Sequence, residues 1–456
     1  MNERSSAQYF SIPYEIAAVR PLRQTTREER KAALAAAYYN TELLPQSMIY
    51  LDFKTDSGVS SFSTAQLTRM LAPGGLESGM EMAAEGNKAF VNLSQAIQSV
   101  FGFPYILPVS QGRTAERIWT KIHIKQASIV PGNMLFPSTR YHIDSNGGRV
   151  IDVIAESAHD LYSGDLFKGN IDLRKLESVL EEHGGNVSCV YVELCVNGCG
   201  GHPVSLGNLK AVQSVCKAHN VPLFLDACRI LENSALIKAR EEGQRQRSIR
   251  EIVHDLASCA DGLTMSALKD FLVPAGGLIA TRDESSYQKA YFASFFGGDQ
   301  ATNATMESMA AAIEEIFADD NYVSSRVGQV EYLWSQVKDA IPVLQPCGGH
   351  AVFVDVKRFL PDTVAERNPG EALAAFVYEC SGMRVTKGPP LAASQRERGI
   401  DLLRLAIPAR RYLREQIDDA AEALRYAYAH RAEIGGLKKV EQPGRSRFAP
   451  ALFAPA

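Results

Sequence analysis

Short apolar runs alternate with longer stretches of helical periodicity through the middle of the chain. The clearest runs lie at 105–109, 127–129, 150–154, 187–194, 222–225 and 263–266. Short runs separated by helical stretches are typical of a parallel sheet whose crossovers are right-handed. The pattern predicts an α/β fold. Residues directly after each run are candidates for ligand binding, because ligands gather at the carboxyl ends of such strands.

The pattern changes in the last third of the chain, which is predicted to be α+β. Strands are predicted at 348–355 and 402–408, and helices at 371–380 and 417–430. A chain of 456 residues is long enough for more than one core. We predict a large α/β domain at residues 60–310 and a smaller α+β domain formed by residues 1–59 with 311–456.

Composition and charge argue against several classes of partner. Hydrophobic residues make up 46% and charged residues 22% of the chain, and the net charge is −4 without a basic block. Neither nucleic acid nor a membrane is therefore a predicted partner. No apolar run approaches the roughly 20 residues of a membrane span, and the N-terminus lacks an apolar signal core, so a cytoplasmic location is expected.

The cysteines and histidines give no pattern of a metal site. The eight cysteines include no CxxC pair, and the nine histidines are scattered along the chain. We therefore expect reduced, mostly buried thiols and no bound metal.

One lysine follows the apolar run at 263–266. The segment 261–277, DGLTMSALKDFLVPAGG, is predicted to be a strand, a polar turn carrying Lys269 and a glycine-bearing return. A lysine held partly dry loses its charged form more easily, and a free amine can form a Schiff base with an aldehyde cofactor. On this segment alone, a solvated turn lysine is the alternative.

An acidic residue ends the run at 222–225. Asp226 stands where ligands of open α/β sheets bind, and Arg229 follows it closely. Pyridoxal phosphate requires a lysine for its aldehyde, an anion for its pyridinium nitrogen and donors for its phosphate. Asp226 can supply the anion and Arg229 can face the phenolic oxygen, although Asp226 taken alone is equally a helix N-cap.

A glycine turn after the run at 105–109 offers donors for an anion. The segment 110–114, SQGRT, leads into a helix whose free N–H groups and dipole attract phosphate, and Arg113 adds charged donors. Most glycine turns bind nothing, so this turn gains weight only together with the lysine and the aspartate.

Further positions carry candidate chemistry. Phe136 can stack on a pyridine ring or belong to the core. Asn197, between a strand and glycines, can reach a cofactor oxygen or a substrate carboxylate, or can be a turn residue. Arg404 interrupts an apolar strand, and its partner is either a substrate carboxylate or an internal acid. The polar turn 54–58 can hold a carboxylate or serve as a plain turn.

A series of motifs in order along the chain resembles one family. They are TDSG (55–58), FGF with QGR (101–113), FKGNIDL (167–173), GGHPVSLGNLKAV (200–212), LDACR (225–229), IKAREEG (237–243), MSALKD (265–270), GGHAVFVD (348–355) and RLAIPAR (404–410). The chain resembles the β-eliminating lyases, which include tyrosine phenol-lyase and tryptophanase, over about residues 41–448. The resemblance implies aspartate-aminotransferase fold type I, with a mostly parallel seven-stranded sheet in the large domain.

The resemblance implies roles for the candidate residues. Lys269 would bind the cofactor aldehyde and move the α-proton, Asp226 would pair with the pyridinium nitrogen, and Arg229 would lie near the phenolic oxygen. The phosphate would be bound by Gln111, Gly112, Arg113 and Ser266, and Phe136 would stack on the ring. The substrate would be bound by Arg404, Thr55, Ser57 and Asn197, with Glu42 and Phe448 at its side chain. Asn197 would also contact the cofactor.

The chain departs from the family in the half of the site that faces the substrate side chain. The tyrosine that assists the leaving phenol aligns with Ala84, and an aromatic residue of the phenol pocket aligns with Glu42. The threonine after the stacking phenylalanine is Pro137, and the arginine that selects phenol falls near Gly388. The glutamate that binds a monovalent cation aligns near Met82, so the cation requirement stays open.

We predict a pyridoxal-phosphate-dependent lyase that acts at Cβ of a small-molecule amino acid. It would eliminate the β-substituent to give pyruvate and ammonium, or replace it. The substrate is predicted to be neither tyrosine nor tryptophan, and a carbon–sulfur or other heteroatom-linked amino acid fits; Glu42 indicates a polar or cationic substituent.

The same fold also supports alternative reactions, because fold alone does not fix the chemistry. An aminotransferase or an aldol-type lyase is the enzymatic alternative, and a non-catalytic cofactor-binding relative is disfavoured by the set of Lys269, Asp226 and Arg404. The resemblance also implies a homodimer or homotetramer with the active site at the dimer interface.

Overall fold

The chain folds into two compact units. The computed structural model describes residues 12–15, 19–72, 87–388, 398–441 and 449–456. The large unit contains Ser57–Asp160 and Asp165–Val327. The small unit contains the described residues up to Asp56, the segment Leu161–Gly164 and the described residues from Gly328 onwards.

Helices and strands alternate along the described part of the chain. The α-helices are α1 (Arg27–Ala36), α2 (Thr64–Met70), α3 (Lys88–Phe101), α4 (Gly112–His123), α5 (Pro137–Ser145), α6 (Leu173–His183), α7 (Leu206–Ala218), α8 (Ile230–Arg240), α9 (Ile249–Ser258), α10 (Ala267–Asp270), α11 (Glu284–Gly297), α12 (Asn303–Ile316), α13 (Asn321–Val337), α14 (Val356–Phe359), α15 (Pro369–Ser381) and α16 (Arg414–Ala429). The strands are β1 (Leu51–Asp52), β2 (Tyr105–Val109), β3 (Ile129–Gly132), β4 (Arg149–Asp152), β5 (Val190–Glu193), β6 (Leu223–Asp226), β7 (Gly262–Ser266), β8 (Gly277–Thr281), β9 (Ala351–Asp355), β10 (Met383–Arg384), β11 (Thr386–Lys387), β12 (Leu402–Ala406), β13 (Leu437–Val440) and β14 (Leu452–Pro455).

A seven-stranded sheet forms the centre of the large unit. Its strand order is β2-β8-β7-β6-β5-β3-β4. Strand β8 runs antiparallel to both of its neighbours, whereas the pairs from β7 to β4 are parallel. Every residue of β3, β5, β6 and β8 is buried, which explains why these strands lack the alternation of a half-exposed sheet. The predicted α/β fold with a mostly parallel sheet is confirmed.

Local sequence sets the ends of the helices in the large unit, and α3 is an example. The side chain of Asn87 accepts the Phe90 N–H at 3.1 Å and caps the first turn. Leu93 and Ile97, one helical turn apart, are fully buried. The helix ends at Gly102, whose φ of 68° is a left-handed conformation that favours glycine.

The small unit is built around short sheets and two helices. Strand β12 pairs antiparallel with β9 and β11, β1 pairs parallel with β10, and β13 pairs antiparallel with β14. Helix α15 packs against α16. Arg404 lies at the centre of β12, opposite Phe353 of β9 and Thr386 of β11. This unit is α+β, as the sequence pattern predicts.

A buried ion pair joins β1 to β10 in the small unit. The Arg384 guanidinium donates to both carboxylate oxygens of Asp52, at 3.0 and 2.6 Å, and also to the Gln46 side chain at 3.0 Å. Burial raises the pKa of Asp52, but the Arg384 guanidinium and the Lys54 N–H outweigh burial, so the pKa lies below its usual value. Asp52 is therefore held as a carboxylate.

The two units divide the chain at other positions than the predicted domain boundaries. The divisions fall after Asp56 and after Val327, whereas the sequence pattern placed them after residues 59 and 310. Helix α12 packs against α2 and α3, so residues 311–316 stay with the large unit. The chain passes into the small unit within α13.

Several element predictions are wrong in detail. The helix expected over 234–256 is interrupted between α8 and α9, where Gly243 adopts a φ of 78°. The strand expected at 127–129 begins only at Ile129, because Ala127 has a φ of 63°. Lys269 lies in the short helix α10 rather than in a turn, since the Ala267 carbonyl accepts the Phe271 N–H at 3.1 Å.

Candidate functional site

The predicted cofactor-binding residues of the large unit lie after the carboxyl ends of its parallel strands. Gln111, Gly112 and Arg113 follow β2, Phe136 follows β3, Asn197 follows β5, Asp226 ends β6 with Arg229 just beyond it, and Ser266 ends β7 with Lys269 on the next helix. Parallel strands place these ends at one edge of the sheet, where ligands of such folds bind. The fold therefore gathers at one edge residues that are far apart in the sequence.

Lys269 reaches from α10 toward the other candidate residues. Its Nζ lies 5.6 Å from the centre of the Phe136 ring. Burial lowers the pKa of Lys269, but the neighbouring acidic groups of Cys228, Asp226 and Glu116 more than offset burial, and the pKa lies above its ordinary value. The direction of this pKa shift is opposite to the expectation that desolvation frees the amine.

Asp226 is a buried carboxyl with a fixed orientation. The residue is 4% exposed, and its Oδ1 accepts the Cys228 N–H at 3.0 Å. On the adjacent strand β7, Thr264 lies opposite Asp226, and its hydroxyl is 2.6 Å from the Tyr191 hydroxyl. Burial and the charge of Asp226 raise the pKa of Tyr191 well above its usual value, so both hydroxyls stay neutral beside the carboxylate.

The turn before α4 meets the end of β7. Gln111 occupies the N-cap of this 12-residue helix, and its side chain makes no capping hydrogen bond. Gly112 packs so closely on Ser266 that an added Cβ would lie 2.5 Å from the serine Cβ. Arg113 is exposed at the first turn. The start of α4 is thus an uncapped helix end with a guanidinium beside it, which is an arrangement suited to a phosphate.

Arg229 is buried within an ion-pair network. Its Nη1 lies 3.6 Å from Glu232 Oε1, and the Arg326 Nε lies 3.6 Å from the same oxygen. Leu231 donates its N–H to Asp270, the residue after Lys269, at 2.9 Å. The pKa of Asp270 lies well above its usual value because of burial and the charge of Glu232. Arg229 is therefore held rigidly at the start of α8.

Ser57 is brought close to the lysine helix by the backbone. The neighbouring Gly58 donates its N–H to the Leu268 carbonyl at 3.3 Å, and its φ of 71° favours glycine. An added Cβ at Gly58 would lie 3.0 Å from the Leu268 side chain. Thr55, predicted to act with Ser57, belongs to the small unit.

Two predicted substrate-binding residues, Arg404 and Glu42, both contact Lys54 in the small unit. The Arg404 Nη2 donates to the Lys54 carbonyl at 3.1 Å. The Lys54 Nζ lies 3.6 Å from the Glu42 Oε2, with side chains 33% and 43% exposed. The structure therefore pairs Glu42 with a cation that the sequence pattern did not connect to it.

Some predicted positions lie outside the described residues. They are Phe448 and the segment 73–86, which includes Met82 and Ala84. Pro137 is described, and it is the first residue of α5, where proline is favoured.

In the described ranges, no helix is long and apolar enough to span a membrane. No group of histidine, cysteine or acidic side chains in the described chain could hold a metal.

Two buried acids beside Asp226 were missed by sequence reasoning. Burial and the charge of Asp226 raise the pKa of Glu116, on α4, to about 7. The same two causes raise the pKa of Glu193, at the end of β5, to about 8. The available signal was the position of Glu193, because this acidic residue interrupts the apolar run at 187–194.

The large-unit residues match the chemical needs of pyridoxal phosphate. Lys269 can supply the amine for the aldehyde, and the buried carboxyl of Asp226 can supply the anion for the ring nitrogen. The uncapped start of α4, with Arg113 and Ser266, supplies donors for the phosphate. The ring of Phe136, close to the Lys269 amine, supplies an apolar surface for the pyridine. These residues therefore fit the cofactor.

Solved structures with a similar fold define the class. A serine palmitoyltransferase of Sphingomonas wittichii has a TM-score of 0.63 and 12% identity, and the match covers 89% of this chain and 97% of that chain. A threonine aldolase of Leishmania major has a TM-score of 0.59 and 15% identity, with coverage of 83% and 99%. The architecture is that of fold type I pyridoxal-phosphate enzymes, a likeness of fold alone.

Sequence comparison gives the family. The family "Beta-eliminating lyase" matches residues 52–423. A tyrosine phenol-lyase of Symbiobacterium thermophilum is 40% identical over 462 residues, covering 98% of this chain and 99% of the relative. One of Nostoc punctiforme is 40% identical over 459 residues, covering 97% and 96%. The chain belongs to the beta-eliminating lyase family, and it is a pyridoxal-phosphate-dependent lyase. The predicted family and enzyme class are confirmed.

Proposed function

We propose that this lyase removes the β-substituent of an amino acid and releases pyruvate and ammonium, or exchanges the substituent for another nucleophile. The grouping of Lys269, Asp226 and the start of α4 at one edge of the sheet carries the proposal. Bound pyridoxal phosphate acts as an electron sink that acidifies the α-proton of the amino acid attached to it. The protein must then hold the cofactor, orient the amino acid and move protons.

The large unit would do the work at the cofactor. Lys269 would hold the aldehyde and then, when displaced by substrate, carry the α-proton as a general base. A placed base of this kind contributes roughly 10²–10⁴ to the rate. Asp226 would keep the ring nitrogen protonated. Arg229, fixed by Glu232, would donate to the phenolic oxygen.

The substrate carboxylate would be oriented by a guanidinium and neutral donors. Arg404 can bind a carboxylate with two parallel hydrogen bonds, because its guanidinium matches the spacing of the two oxygens. Its bond to the Lys54 carbonyl supports this role by fixing one edge of the guanidinium. Thr55, Ser57 and Asn197 would add hydroxyl and amide donors.

We propose a substrate whose β-substituent is linked through sulfur or another heteroatom, rather than tyrosine or tryptophan. The pair of Glu42 and Lys54 supports a polar substituent, because charged side chains keep their water and line an aromatic pocket poorly. The pair is neutral overall, so a cationic substituent is no longer favoured over a neutral polar one. A heteroatom leaves with its bonding electrons and requires no acid that protonates carbon. This agrees with the presence of Ala84 at the position that aligns with the tyrosine that assists the leaving phenol.

A product assay tests the function and the substrate class together. The protein loaded with pyridoxal phosphate is incubated with S-methylcysteine, S-ethylcysteine, serine, tyrosine and tryptophan. We expect thiol, pyruvate and ammonium in equal amounts from the thioethers, with one water consumed per turnover. Release of phenol from tyrosine at a comparable kcat/KM would overturn the substrate proposal and leave the lyase intact. A keto acid with aminated cofactor would identify an aminotransferase, and glycine with an aldehyde an aldol-type lyase.

We also propose that the enzyme is a homodimer or homotetramer whose active site includes the dimer interface. Helix α11 supports an assembly because it exposes a row of aromatic side chains, including Phe292 at 57% and Phe296 at 81% exposure. Sedimentation velocity of the cofactor-loaded protein tests the proposal, and a monomer at micromolar concentration contradicts it.

The requirement for a monovalent cation is tested by measuring activity in potassium, sodium and tetramethylammonium buffers.

A further inference from the structure

A second carboxyl lies next to Asp226 at the edge of the sheet. The register of β5 and β6 places Glu193 opposite Asp226. Residues opposite each other on neighbouring strands direct their side chains to the same face of the sheet. Glu193 is 5% exposed, so its carboxyl is removed from water together with that of Asp226.

The backbone of Glu193 is fixed by a buried asparagine. Asn133 accepts the Glu193 N–H at 2.8 Å through its side-chain oxygen. The Asn133 amide donates to the Glu193 carbonyl at 3.0 Å and to the Gly169 carbonyl at 2.8 Å. Asn133 is fully buried. The backbone at the end of β5 is therefore held in place independently of the contacts of the Glu193 side chain.

The carboxyl of Glu193 binds the backbone of a proposed site residue. Its Oε1 accepts the Asn197 N–H at 2.8 Å. Its Oε2 makes no hydrogen bond of normal geometry in the described part of the chain, although the Phe136 N–H is near enough to the carboxyl to lower its pKa. A buried carboxylate with so few donors is costly, whereas the neutral acid needs fewer partners.

The groups around Glu193 agree with a neutral carboxyl. Burial and Asp226, on the neighbouring strand, raise its pKa to about 8, against opposing effects from the Asn197 N–H, Lys269 on α10 and the Phe136 N–H. The nearby Cys199 thiol is itself neutral, because burial and Glu193 raise its pKa to about 12. Asp226 is the member of the pair proposed to face the ring nitrogen, a separation of roles between neighbouring acids.

We propose that Glu193 is a positioning residue that holds the Asn197 backbone beside Asp226 and so aims the Asn197 amide at the bound amino acid. The inference rests on the proposed function of Asn197 in substrate binding. Glu193 itself is given no contact with the substrate.

Two substitutions separate the hydrogen bond from the charge. Glu193→Gln keeps an oxygen for the Asn197 N–H and stays neutral, whereas Glu193→Met keeps the volume and lacks the acceptor. The readout is the dissociation constant of L-alanine, which has no leaving group, from the absorbance of the cofactor-loaded protein. We expect about tenfold weaker binding for Glu193→Met and a change below about threefold for Glu193→Gln. Unchanged L-alanine affinity in Glu193→Met would overturn the inference.

A matched control removes another side chain that accepts a single backbone N–H. In the same unit, the Asn208 Oδ1 accepts the Ile171 N–H at 2.9 Å, and the Asn208 amide also donates to the Ile171 carbonyl at 2.9 Å, so this control loses at least as many hydrogen bonds as Glu193→Met. Asn208→Met is expected to lower stability and to leave the L-alanine affinity unchanged. An equal loss of affinity in Asn208→Met and Glu193→Met would show a general structural effect and reject the positioning role.

The pH dependence of L-alanine binding gives a readout that a merely structural role would not change. This test compares the natural protein with Glu193→Gln, so it can be made even if Glu193→Met fails to fold. Burial and Asp226 raise the pKa of Glu193 to about 8, so its carboxyl is expected to lose its proton as the solution becomes mildly alkaline and then to repel the substrate carboxylate. L-Alanine affinity of the natural protein should therefore fall more steeply between pH 7 and 9 than that of Glu193→Gln. Identical profiles would overturn the inference. No spectral response of the natural protein to L-alanine at any pH would instead reject the proposed function.

Discussion

Burial and charge act on Lys269 in opposite directions, and charge prevails. The acidic groups of Cys228, Asp226 and Glu116 raise the pKa of Lys269 above its ordinary value and so favour the ammonium in the chain without cofactor. Because only the free amine attacks an aldehyde, covalent uptake of the cofactor should accelerate as pH rises toward the raised pKa. The same carboxyl of Asp226 that suits the ring nitrogen thus slows the first loading step.

Lys269→Ala should abolish covalent attachment of the cofactor and lower turnover by at least about 10²-fold, since the amine also moves the α-proton. Borohydride reduction followed by intact mass measurement should find cofactor on the natural protein and none on the variant. Lys289→Ala, at an exposed position of α11, is the control and should retain both properties. Normal turnover in Lys269→Ala would reject the assigned role.

Arg404→Ala should weaken the binding of every α-amino acid by about 10- to 100-fold, whatever its side chain, because a charge-assisted pair with the carboxylate is lost. Arg404→Lys should recover only part of the affinity, since an ammonium cannot bind both oxygens in parallel. Spectral titrations with L-alanine and S-methylcysteine measure the effect. Arg425→Ala, an exposed arginine paired with Glu422, should bind both ligands normally. A loss confined to one amino acid would contradict a carboxylate role.

Sequence reasoning at the residue scale selected Lys269, Asp226 and Gly112 because each lies within three residues of the end of an apolar run. It did not find Glu193 as a partner of Asp226, since that pairing depends on the register of two strands. It also missed the ion pair of Glu42 with Lys54, which depends on how a turn folds back. Spacing predicts which residues reach the sheet edge, but not which of them touch.

At the scale of elements, the start of α4 and the end of β7 form one close contact. An added methyl group at Gly112 would lie 2.5 Å from the Ser266 Cβ, and both residues are proposed to bind the phosphate. The two elements must separate to admit a larger residue. The phosphate donors would move with them.

Gly112→Ala should therefore lower the free energy of unfolding by about 1–3 kcal/mol through overpacking. Affinity for pyridoxal phosphate should fall as well, by about tenfold or more. Urea unfolding and equilibrium dialysis measure the two effects. Gly185→Ala is the matched control, because an added Cβ at Gly185 meets no atom within 4 Å. A variant that unfolds earlier but binds the cofactor normally would exclude this turn from the phosphate site.

The order and type of most elements in the large unit were predictable, whereas their ends were less so. Alternation of apolar runs and helical stretches predicts the parallel strands, because strands that are buried on both faces consist almost entirely of apolar residues. Ala127 and Gly243, both with positive φ, shift a strand start and split a helix. Such backbone turns depend on local conformations that hydrophobic periodicity does not report.

At the scale of the whole molecule, the two units divide the chain differently from the predicted domains. Apolar pattern and length indicate two cores, but they do not show which core a connecting helix joins. Helix α12 belongs with α2 and α3 because its buried face packs there. Residues 311–316 could be assigned only after those contacts were known.

Stability of the small unit should depend on the buried pair of Asp52 and Arg384. Asp52→Asn leaves the guanidinium without its carboxylate and should cost about 3–5 kcal/mol at pH 7. Because the folded pKa of Asp52 is lowered, its contribution is complete above the unfolded pKa of roughly 3.9 and is lost as pH falls through the folded pKa. The difference between the natural protein and the variant should therefore be the same at pH 7 and 5, and smaller at pH 3, which lies below the unfolded pKa.

Trp334 fluorescence can follow this unit, since the chain's other tryptophan, Trp119, lies in the large unit and can be replaced by phenylalanine in both proteins. Urea unfolding is compared at pH 7, 5 and 3. Asp339→Asn, at a side chain 86% exposed, is the control and should cost little at any pH. A constant difference across this range would show that Asp52 does not titrate with folding.

Glu42 and Pro137 lie outside every strand of the seven-stranded sheet, while Asp226 and Ser266 end its strands. Replacing Glu42 or Pro137 leaves the hydrogen bonds and the buried faces of the seven-stranded sheet unchanged. If selectivity depends on Glu42, as we propose, it can change without disturbing the residues proposed to bind the cofactor. This enzyme is accordingly a promising starting scaffold for directed evolution toward unnatural leaving groups.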